Sequence, residues 1–165
     1  MAYAPLMSDE LKNALCEQIG HEKTNASIYM RIASFMNSKG LGNLAKIFED
    51  QHDEEEGHAK MIYDFLMDMS VDIFVPSIPM VSDMISNIVD IAQKYADREI
   101  FTTASLDSIK NLAEDENNPL AEEFMRGMLL IQRKETEEFT SFWDNAVLCG
   151  ADWWKVKVWN DSLGD

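Results

Sequence analysis

A dense run of acids and histidines occupies residues 49–60, which read EDQHDEEEGHAK. Within it, Glu55 and His58 stand three positions apart, so on a helix they share one face. A carboxylate and an imidazole at this spacing can bind one metal ion together, and oxygen ligands with one imidazole suit Fe(II) or Mn(II) better than a thiolate-preferring metal. One alternative is that the whole run is a solvated charged face. Another is that His58 faces inward as an ordinary hydrogen-bonded core histidine and binds no metal.

Three further glutamates belong to the same pattern. Glu22, Glu99 and Glu135, like Glu55, each interrupt an apolar stripe near the middle of a long segment. Taken singly, such a glutamate is explained by a shifted helical register or by a side chain that reaches solvent. Four together are not, because buried ionised carboxylates are costly unless they are paired or bind a cation, and no basic residue shares the stripes. We therefore expect the four carboxylates and His58 to converge on cations.

Helix start and stop signals define the segments that must position these residues. The predicted helices lie at about 9–38, 41–69, 81–116, 119–148 and, for a short tail, 152–163. Apolar residues in the four long segments recur at alternating steps of three and four, as in a four-helix bundle. Short turns make helices one and two antiparallel, and helices three and four likewise. The connection of about eleven residues after helix two is long enough to return along most of the bundle, so helices two and three can be parallel. The predicted fold is all-α.

Composition narrows the classes of function. A length of 165 residues suggests one domain with a sizeable core, and a hydrophobic content of 46% excludes a disordered acidic tail. The formal net charge of −16 argues against nucleic acid and anionic membranes as partners. We find no secretory leader and no apolar run long enough to span a membrane. Cys16 and Cys149 lack disulfide or metal spacing, so we expect a cytoplasmic protein.

The residues resemble those of the ferritins, most closely the bacterial non-haem ferritins. The resemblance covers nearly the whole chain and is carried by CEQIGHEKTNASIY, FEDQHDEEEGHAKMIYDFL, the ADRE that contains Glu99, and IQRKE. It implies a ferritin-like four-helix bundle with a long crossover between helices two and three and a short fifth C-terminal helix. A single domain over residues 1–165 is expected, with the bundle at about 9–148 and the fifth helix at about 152–163.

The resemblance also implies roles for the five candidate ligands. In the family, the residues that match Glu22 and His58 bind one iron, and the match of Glu55 bridges two irons. The matches of Glu99 and Glu135 bind the second iron. The implied metal centre is therefore di-iron, and its metals pass between Fe2+ and Fe3+.

Two more residues match positions beside that centre. Gln132 corresponds to a residue near the oxygen-binding face, and Tyr29 to a tyrosine next to the first iron. By themselves, both would be ordinary buried polar groups. The implied activity is that of a ferroxidase for iron storage and detoxification, with Fe2+ and O2 or H2O2 as partners. Two other functions stay open: a di-iron oxidase acting on a small organic substrate, and a non-catalytic structural bundle.

Two differences from related ferritins affect what can be carried over. Bacterioferritins have a second Glu-x-x-His on helix four and a methionine haem ligand after the bridging glutamate, where this chain has Gln132-x-x-Glu135 and Glu56. We therefore expect no haem.

The second difference concerns a third iron site found in many bacterial ferritins. Glu54 matches its first ligand, but the two matching positions on helix four hold Ile131 and Lys134. An isoleucine and a cation cannot replace two carboxylates. This third site is expected to be absent, or rebuilt with Glu138 or Glu137.

The tail ADWWKVKVWNDSL matches the short fifth helix of the family, which packs around a fourfold axis in hollow shells of 24 subunits. The resemblance thus implies a homo-oligomer, a 24-mer. The alternative is that the three tryptophans of this tail simply pack on the end of the bundle.

Overall fold

The structure is a computed structural model that describes residues 6–82 and 84–164. The described chain forms five helices and contains no strand: α1 (Asp9–Ser38), α2 (Gly42–Asp68), α3 (Ile88–Asp115), α4 (Pro119–Cys149) and α5 (Trp153–Ser162). The ends of the predicted domain, residues 1–5 and 165, lie outside this description, as does position 83. None of the helices in the described part of the chain is long and apolar enough to cross a bilayer.

Three of the four long helices begin at a residue whose own side chain caps the first turn. Ser8 Oγ accepts a hydrogen bond from the Leu11 N–H at 3.0 Å, Asn87 caps α3 and Asn118 caps α4. These side chains satisfy N–H groups that have no partner within their helix. After α1, Gly40 adopts a φ of 72°, a left-handed conformation that glycine tolerates and that turns the chain into α2.

The cap of α2 comes from α5. Leu41 precedes α2 and has no side-chain oxygen to offer. Asn160 on α5 supplies it: its Oδ1 accepts a hydrogen bond from the Leu44 N–H at 3.0 Å. Asn43 Nδ2 in turn donates to the Asn160 carbonyl at 2.9 Å. The short helix therefore closes the end of the bundle at which α2 begins.

The helices pack in the predicted topology. The pairs α1–α2 and α3–α4 pack along each other, with further contacts between α1 and α3. Short turns join the members of each pair, so each pair is antiparallel. The connection from α2 to α3 crosses over and lies directly on α1, because a Cβ added to Gly20 would be 2.8 Å from Pro76 Cβ. The prediction of an all-α bundle with a long crossover and a short fifth helix is confirmed.

The predicted start of the third helix at residue 81 is wrong. Helix α3 begins at Ile88, where Asn87 Oδ1 accepts hydrogen bonds from the N–H groups of Val89 and Asp90. Val81 and Ile85 continue the apolar spacing but lie half-buried in the crossover. The crossover therefore runs from Met69 to Asn87 and is longer than predicted, which makes the return along the bundle easier.

The hydrophobic core is divided into two parts by a polar layer. One part lies toward α5 and contains aromatic residues such as Tyr29, Phe48, Tyr95 and Phe142. The other lies toward the opposite end, and its buried members are aliphatic and sulfur-containing side chains. Between them, every long helix contributes buried polar residues: Glu22 and Asn25 from α1, Gln51, Glu55 and His58 from α2, Glu99 and Thr102 from α3, Gln132 and Glu135 from α4.

Candidate metal centre

The polar layer contains all five candidate ligands, and all of them are buried. Their exposed fractions are 0% for Glu22, 2% for Glu55, 7% for His58, 0% for Glu99 and 4% for Glu135. The alternating helical spacing places each side chain on the inner face of its helix. None of the four glutamates points to solvent. Neither a shifted helical register nor a side chain that reaches solvent therefore explains them.

Three of the five form a compact group. One potential ligand atom from each of Glu22, Glu55 and His58 lies within 4.8 Å of the others. Oε2 of Glu55 is 3.4 Å from Nδ1 of His58, as expected for neighbours one turn apart on α2. A carboxylate from α1 and a carboxylate–imidazole pair from α2 thus surround a space in which one cation could contact all three residues.

The other two glutamates complete the layer from α3 and α4. Oε1 of Glu135 lies 3.2 Å from Nε2 of His58. Glu99 accepts hydrogen bonds from the Tyr29 hydroxyl and from Gln132 Nε2, the latter at 2.6 Å. Both residues expected beside the centre, Tyr29 and Gln132, therefore hold Glu99.

Two oxygens in the layer have no hydrogen-bond donor among the described residues. They are Oε2 of Glu22 and Oε2 of Glu135, and both are shielded from solvent. A buried acceptor without a donor costs about 1–3 kcal/mol, and more when it is charged. Carboxylate oxygens left free at the centre of a bundle are suited to bind a hard cation.

Burial and crowding shift the acid–base properties of these carboxyls. Burial raises the pKa of Glu55 to about 8, with the charge of Glu99 as the next cause. Burial also raises the pKa of Glu135 to about 7 and lifts that of Glu22 well above its ordinary value, and the pKa of Glu99 is raised for the same reason. Without a cation, the layer therefore retains protons near neutral pH, and a bound divalent cation would favour the charged forms.

Sequence reasoning missed two residues that lie behind Glu55. Asn25 Nδ2 donates to Glu55 Oε1 at 3.1 Å, and Arg98 Nε donates to Asn25 Oδ1 at 2.6 Å. The signals were present, since Asn25 follows Glu22 by three positions and Arg98 directly precedes Glu99. Their contacts depend on how α1 and α3 pack, which spacing along one helix does not describe.

Glu54 lies beside this layer rather than within the group of Glu22, Glu55 and His58. It is half-buried, and Gln51 Nε2 donates to its Oε2 at 2.9 Å and to Glu138 Oε2 at 3.3 Å. Lys134 Nζ lies 3.1 Å from Glu138 Oε1. Of the two residues considered for a rebuilt third site, Glu138 is therefore linked to Glu54, whereas Glu137 is exposed and faces Arg133 at 3.8 Å.

Glu56, on which the expectation of no haem depends, forms an ion pair. Glu56 stands where bacterioferritins carry their methionine haem ligand, and its Oε2 accepts a hydrogen bond from Lys23 Nζ at 2.7 Å. This ion pair joins α1 to α2 on the outside of the bundle.

Known proteins share both the sequence pattern and the fold. The sequence profile of the ferritin-like domain family matches residues 12–148. Ferritin BfrB of Mycolicibacterium smegmatis is 32% identical over 125 residues, which cover 76% of this chain and 69% of that protein. A bacterial non-heme ferritin of Staphylococcus saprophyticus is 26% identical over 147 residues, 89% of this chain and 88% of that protein.

A solved structure extends the likeness to the fold. An open-pore ferritin from the hyperthermophilic archaeon Archaeoglobus fulgidus superposes with a TM-score of 0.90 at 20% identity, covering 95% of this chain and 97% of the other. The profile match includes the positions of all five candidate ligands. From this match and the likeness to BfrB, the chain is a member of the ferritin family.

Proposed function

We propose that this chain is the subunit of an iron-storage protein and that it oxidises Fe(II) to Fe(III) at two adjacent iron sites inside its own bundle. One observation carries the proposal. Four glutamates from four helices and His58 meet in one buried layer, and two of the carboxylate oxygens there lack a donor among the described residues. The names of the relatives, ferritin BfrB and bacterial non-heme ferritin, support an iron-binding role.

The family match suggests how the irons are divided between the ligands. Glu22 and His58 would bind the first Fe(II), Glu55 would bridge, and Glu99 and Glu135 would bind the second. The compact group of Glu22, Glu55 and His58 supports the first site. The second is supported by Glu135, which contacts His58 from the opposite side of the bundle at 3.2 Å.

The reaction balances with O2 as the oxidant. Two Fe(II) ions lose one electron each, and O2 takes both electrons with two protons to give H2O2. If H2O2 is the oxidant, it takes the two electrons and two protons to give two waters. Anionic oxygen ligands favour Fe(III) over Fe(II), which lowers the cost of oxidation. Tyr29 and Gln132 keep Glu99 in place by their hydrogen bonds during this change.

Storage requires more than one chain. We propose that the chain assembles into a 24-mer shell without haem in the cytoplasm, with α5 at subunit contacts, and that Fe(III) oxide collects inside. Trp153 and Trp159 are half-buried against the bundle, but Trp154 on α5 is 75% exposed, which supports a contact beyond the subunit. The formal charge of −16 would attract cations to such a shell.

A second candidate function is favoured by one cleft. A space of about 430 Å³ is lined by the aromatic side chains of Tyr95, Phe142 and Trp159, and also by three acidic side chains from α2 and α4. The Tyr95 ring packs on Tyr29 with centroids 5.3 Å apart, and Tyr29 contacts Glu99. A di-iron oxidase could bind a small organic substrate in such a space. It would turn over that substrate and would not retain iron.

Rapid-mixing absorbance of the iron-free protein with Fe(II) in air tests the proposal. The amplitude of the fast phase should saturate near two Fe(II) per chain, and slower oxidation should continue with the iron retained in the particle. Saturation at two with no retained iron would favour the oxidase. The absence of any fast phase would overturn the assignment of a working pair of irons.

A further inference from the structure

A buried amide lies behind the carboxylate that we assign as the iron bridge. Asn25 on α1 is 0% exposed, and all polar atoms of its side chain are engaged. Nδ2 donates to Glu55 Oε1 at 3.1 Å and to Thr102 Oγ1 at 3.0 Å, and Oδ1 accepts from Arg98 Nε at 2.6 Å. The amide thus joins α1, α2 and α3 at the level of the polar layer.

Arg98 determines which way this amide points. A guanidinium has only donors, so the Asn25 atom that faces it must be the oxygen. The NH2 group is then obliged to face Glu55. If Arg98 were absent, Asn25 Oδ1 would lose this donor, and the amide would be held against Glu55 by fewer hydrogen bonds.

The same guanidinium also orients a second group. Arg98 Nη2 lies 2.8 Å from His21 Nδ1 and 3.3 Å from His21 Nε2, and the shorter contact favours the tautomer in which Nδ1 accepts and Nε2 carries the ring hydrogen. His21 Nε2 lies 2.9 Å from Thr102 Oγ1, to which it therefore donates. Thr102 Oγ1 thus accepts from both His21 and Asn25. Within this network, which we call the Arg98 network (Arg98, His21, Asn25 and Thr102), Arg98 contacts both Asn25 and His21.

We propose that Arg98 and Asn25 are positioning residues of the iron site: Arg98, from the α1–α3 side of the bundle, fixes the amide of Asn25, and Asn25 holds Glu55 in the direction needed to bridge two metals. Neither residue is one of the five assigned ligands. The inference rests on the proposed function, because it concerns the metal-bridging role of Glu55. It assigns to Arg98 a part in metal binding through a hydrogen bond, although its charge alone would repel a cation.

The charge of Arg98 and its role in orienting Asn25 predict opposite effects on metal affinity when Arg98 is removed. If only charge mattered, removal of a nearby positive charge would strengthen the binding of a divalent cation. If orientation matters, binding weakens. Outer hydrogen-bond partners of metal ligands typically contribute about 10–100-fold to metal affinity. The sign of the change therefore separates the two explanations.

The test measures binding of Co2+ without oxygen, by calorimetry and by the visible absorption of the bound ion, which reports its coordination. The variants are Arg98→Met, which keeps length and loses every donor, and Asn25→Leu, which keeps approximate size. Arg98→Lys restores a donor-only cation. Arg31→Met is the matched control, because Arg31 lines the same cleft of about 240 Å³ as Arg98 and its described contact is with the Phe35 ring. Circular dichroism checks that each variant is folded.

We expect Arg98→Met and Asn25→Leu to weaken Co2+ binding by about 10–100-fold and to change the absorption of the bound ion. Arg98→Lys should recover most of the affinity, and Arg31→Met should leave binding and absorption as in the wild type. Unchanged or tighter binding by folded Arg98→Met would overturn the inference and leave the proposed function standing. Failure of the wild type to bind Co2+ at all would overturn both.

Discussion

Nε2 of His58 lies 3.2 Å from Oε1 of Glu135, so one side chain of α2 and one of α4 meet at the centre of the polar layer. The other ring nitrogen of His58 lies 3.4 Å from Oε2 of Glu55. One imidazole is therefore shared by two carboxylates of different helices. A metal ion bound by His58 must take the place of one of these contacts, so metal binding and the arrangement of the layer are coupled.

The first prediction concerns the proposed bridge. Glu55→Ala removes the carboxylate that would contact both irons, so the fast phase of Fe(II) oxidation should slow by more than about 100-fold. This exceeds the effect of about 10–100-fold that is typical when a hydrogen-bond partner of a metal ligand is removed. Rapid-mixing absorbance measures the rate. Asp53→Ala is the control, because Asp53 is an exposed acid two positions away on α2. A fast phase in Glu55→Ala equal to that of the wild type would sink the assignment of Glu55.

The second prediction separates the two metal sites. Glu135→Ala removes a proposed ligand of the second iron, whereas Glu22, Glu55 and His58 remain to bind the first. The number of Zn2+ ions bound per chain, measured by calorimetric titration, should then fall from two to one. Asp144→Ala, an exposed acid on the same helix, should still bind two. If Glu135→Ala also binds two ions, Glu135 is not a ligand.

The third prediction is a pH dependence of the metal-free protein. Burial raises the pKa of Glu55 from 4.5 to about 8 and that of Glu135 from 4.5 to about 7. Between these limits the folded chain binds more protons than the unfolded chain, so the free energy of unfolding falls as pH rises. The melting temperature without metal should therefore decrease from pH 5 to about pH 8 and then change little on this account.

Two comparisons isolate the carboxyls of the layer in that experiment. Glu55→Gln cannot ionise at this position, so its melting temperature should depend less on pH over the same range. Saturating Zn2+ should also make the melting temperature fall less as the pH rises, because the metal favours the ionised carboxylates. A dependence in Glu55→Gln as steep as that of the wild type would assign the effect to other groups.

The fourth prediction concerns the cap that α5 provides. Asn160→Ala removes the acceptor of the Leu44 N–H, so it should lower the free energy of unfolding by about 1–2 kcal/mol, the usual effect of losing a helix cap. Thermal unfolding at fixed protein concentration measures the change. The matched substitution Asn111→Ala affects an exposed asparagine inside α3 and should have little effect. Equal stabilities of the two variants would show that the cap contributes nothing.

The fifth prediction tests the role of α5 in assembly. Trp154 is 75% exposed and Val158, four positions later, is 56% exposed, so one face of α5 is apolar and open. Trp154→Glu places a charge on that face and should prevent the proposed shell from forming, which sedimentation velocity measures. Lys155→Glu changes the charge in the same direction at the next position and should still assemble. A Trp154→Glu variant that sediments as the wild type would place Trp154 outside every subunit contact.

The sequence determined most of the helices and the four glutamates of the polar layer. Alternating steps of three and four identify the inner face of a helix by themselves, so Glu22, Glu55, Glu99 and Glu135 could be assigned before any packing was known. The same reasoning failed at Val81 and Ile85, because an extended segment lying on the bundle also buries apolar residues, without helical hydrogen bonds.

Tertiary structure decided the contacts between residues that lie far apart in the chain. Arg98 orients Asn25 across 73 positions, and Asn160 caps α2 through Leu44 across 116 positions. No local pattern encodes such pairs, because each depends on the rotation and height of one helix against another. The sequence alone therefore determined which carboxylates face inward, and the packing of the helices determined which donors hold them there.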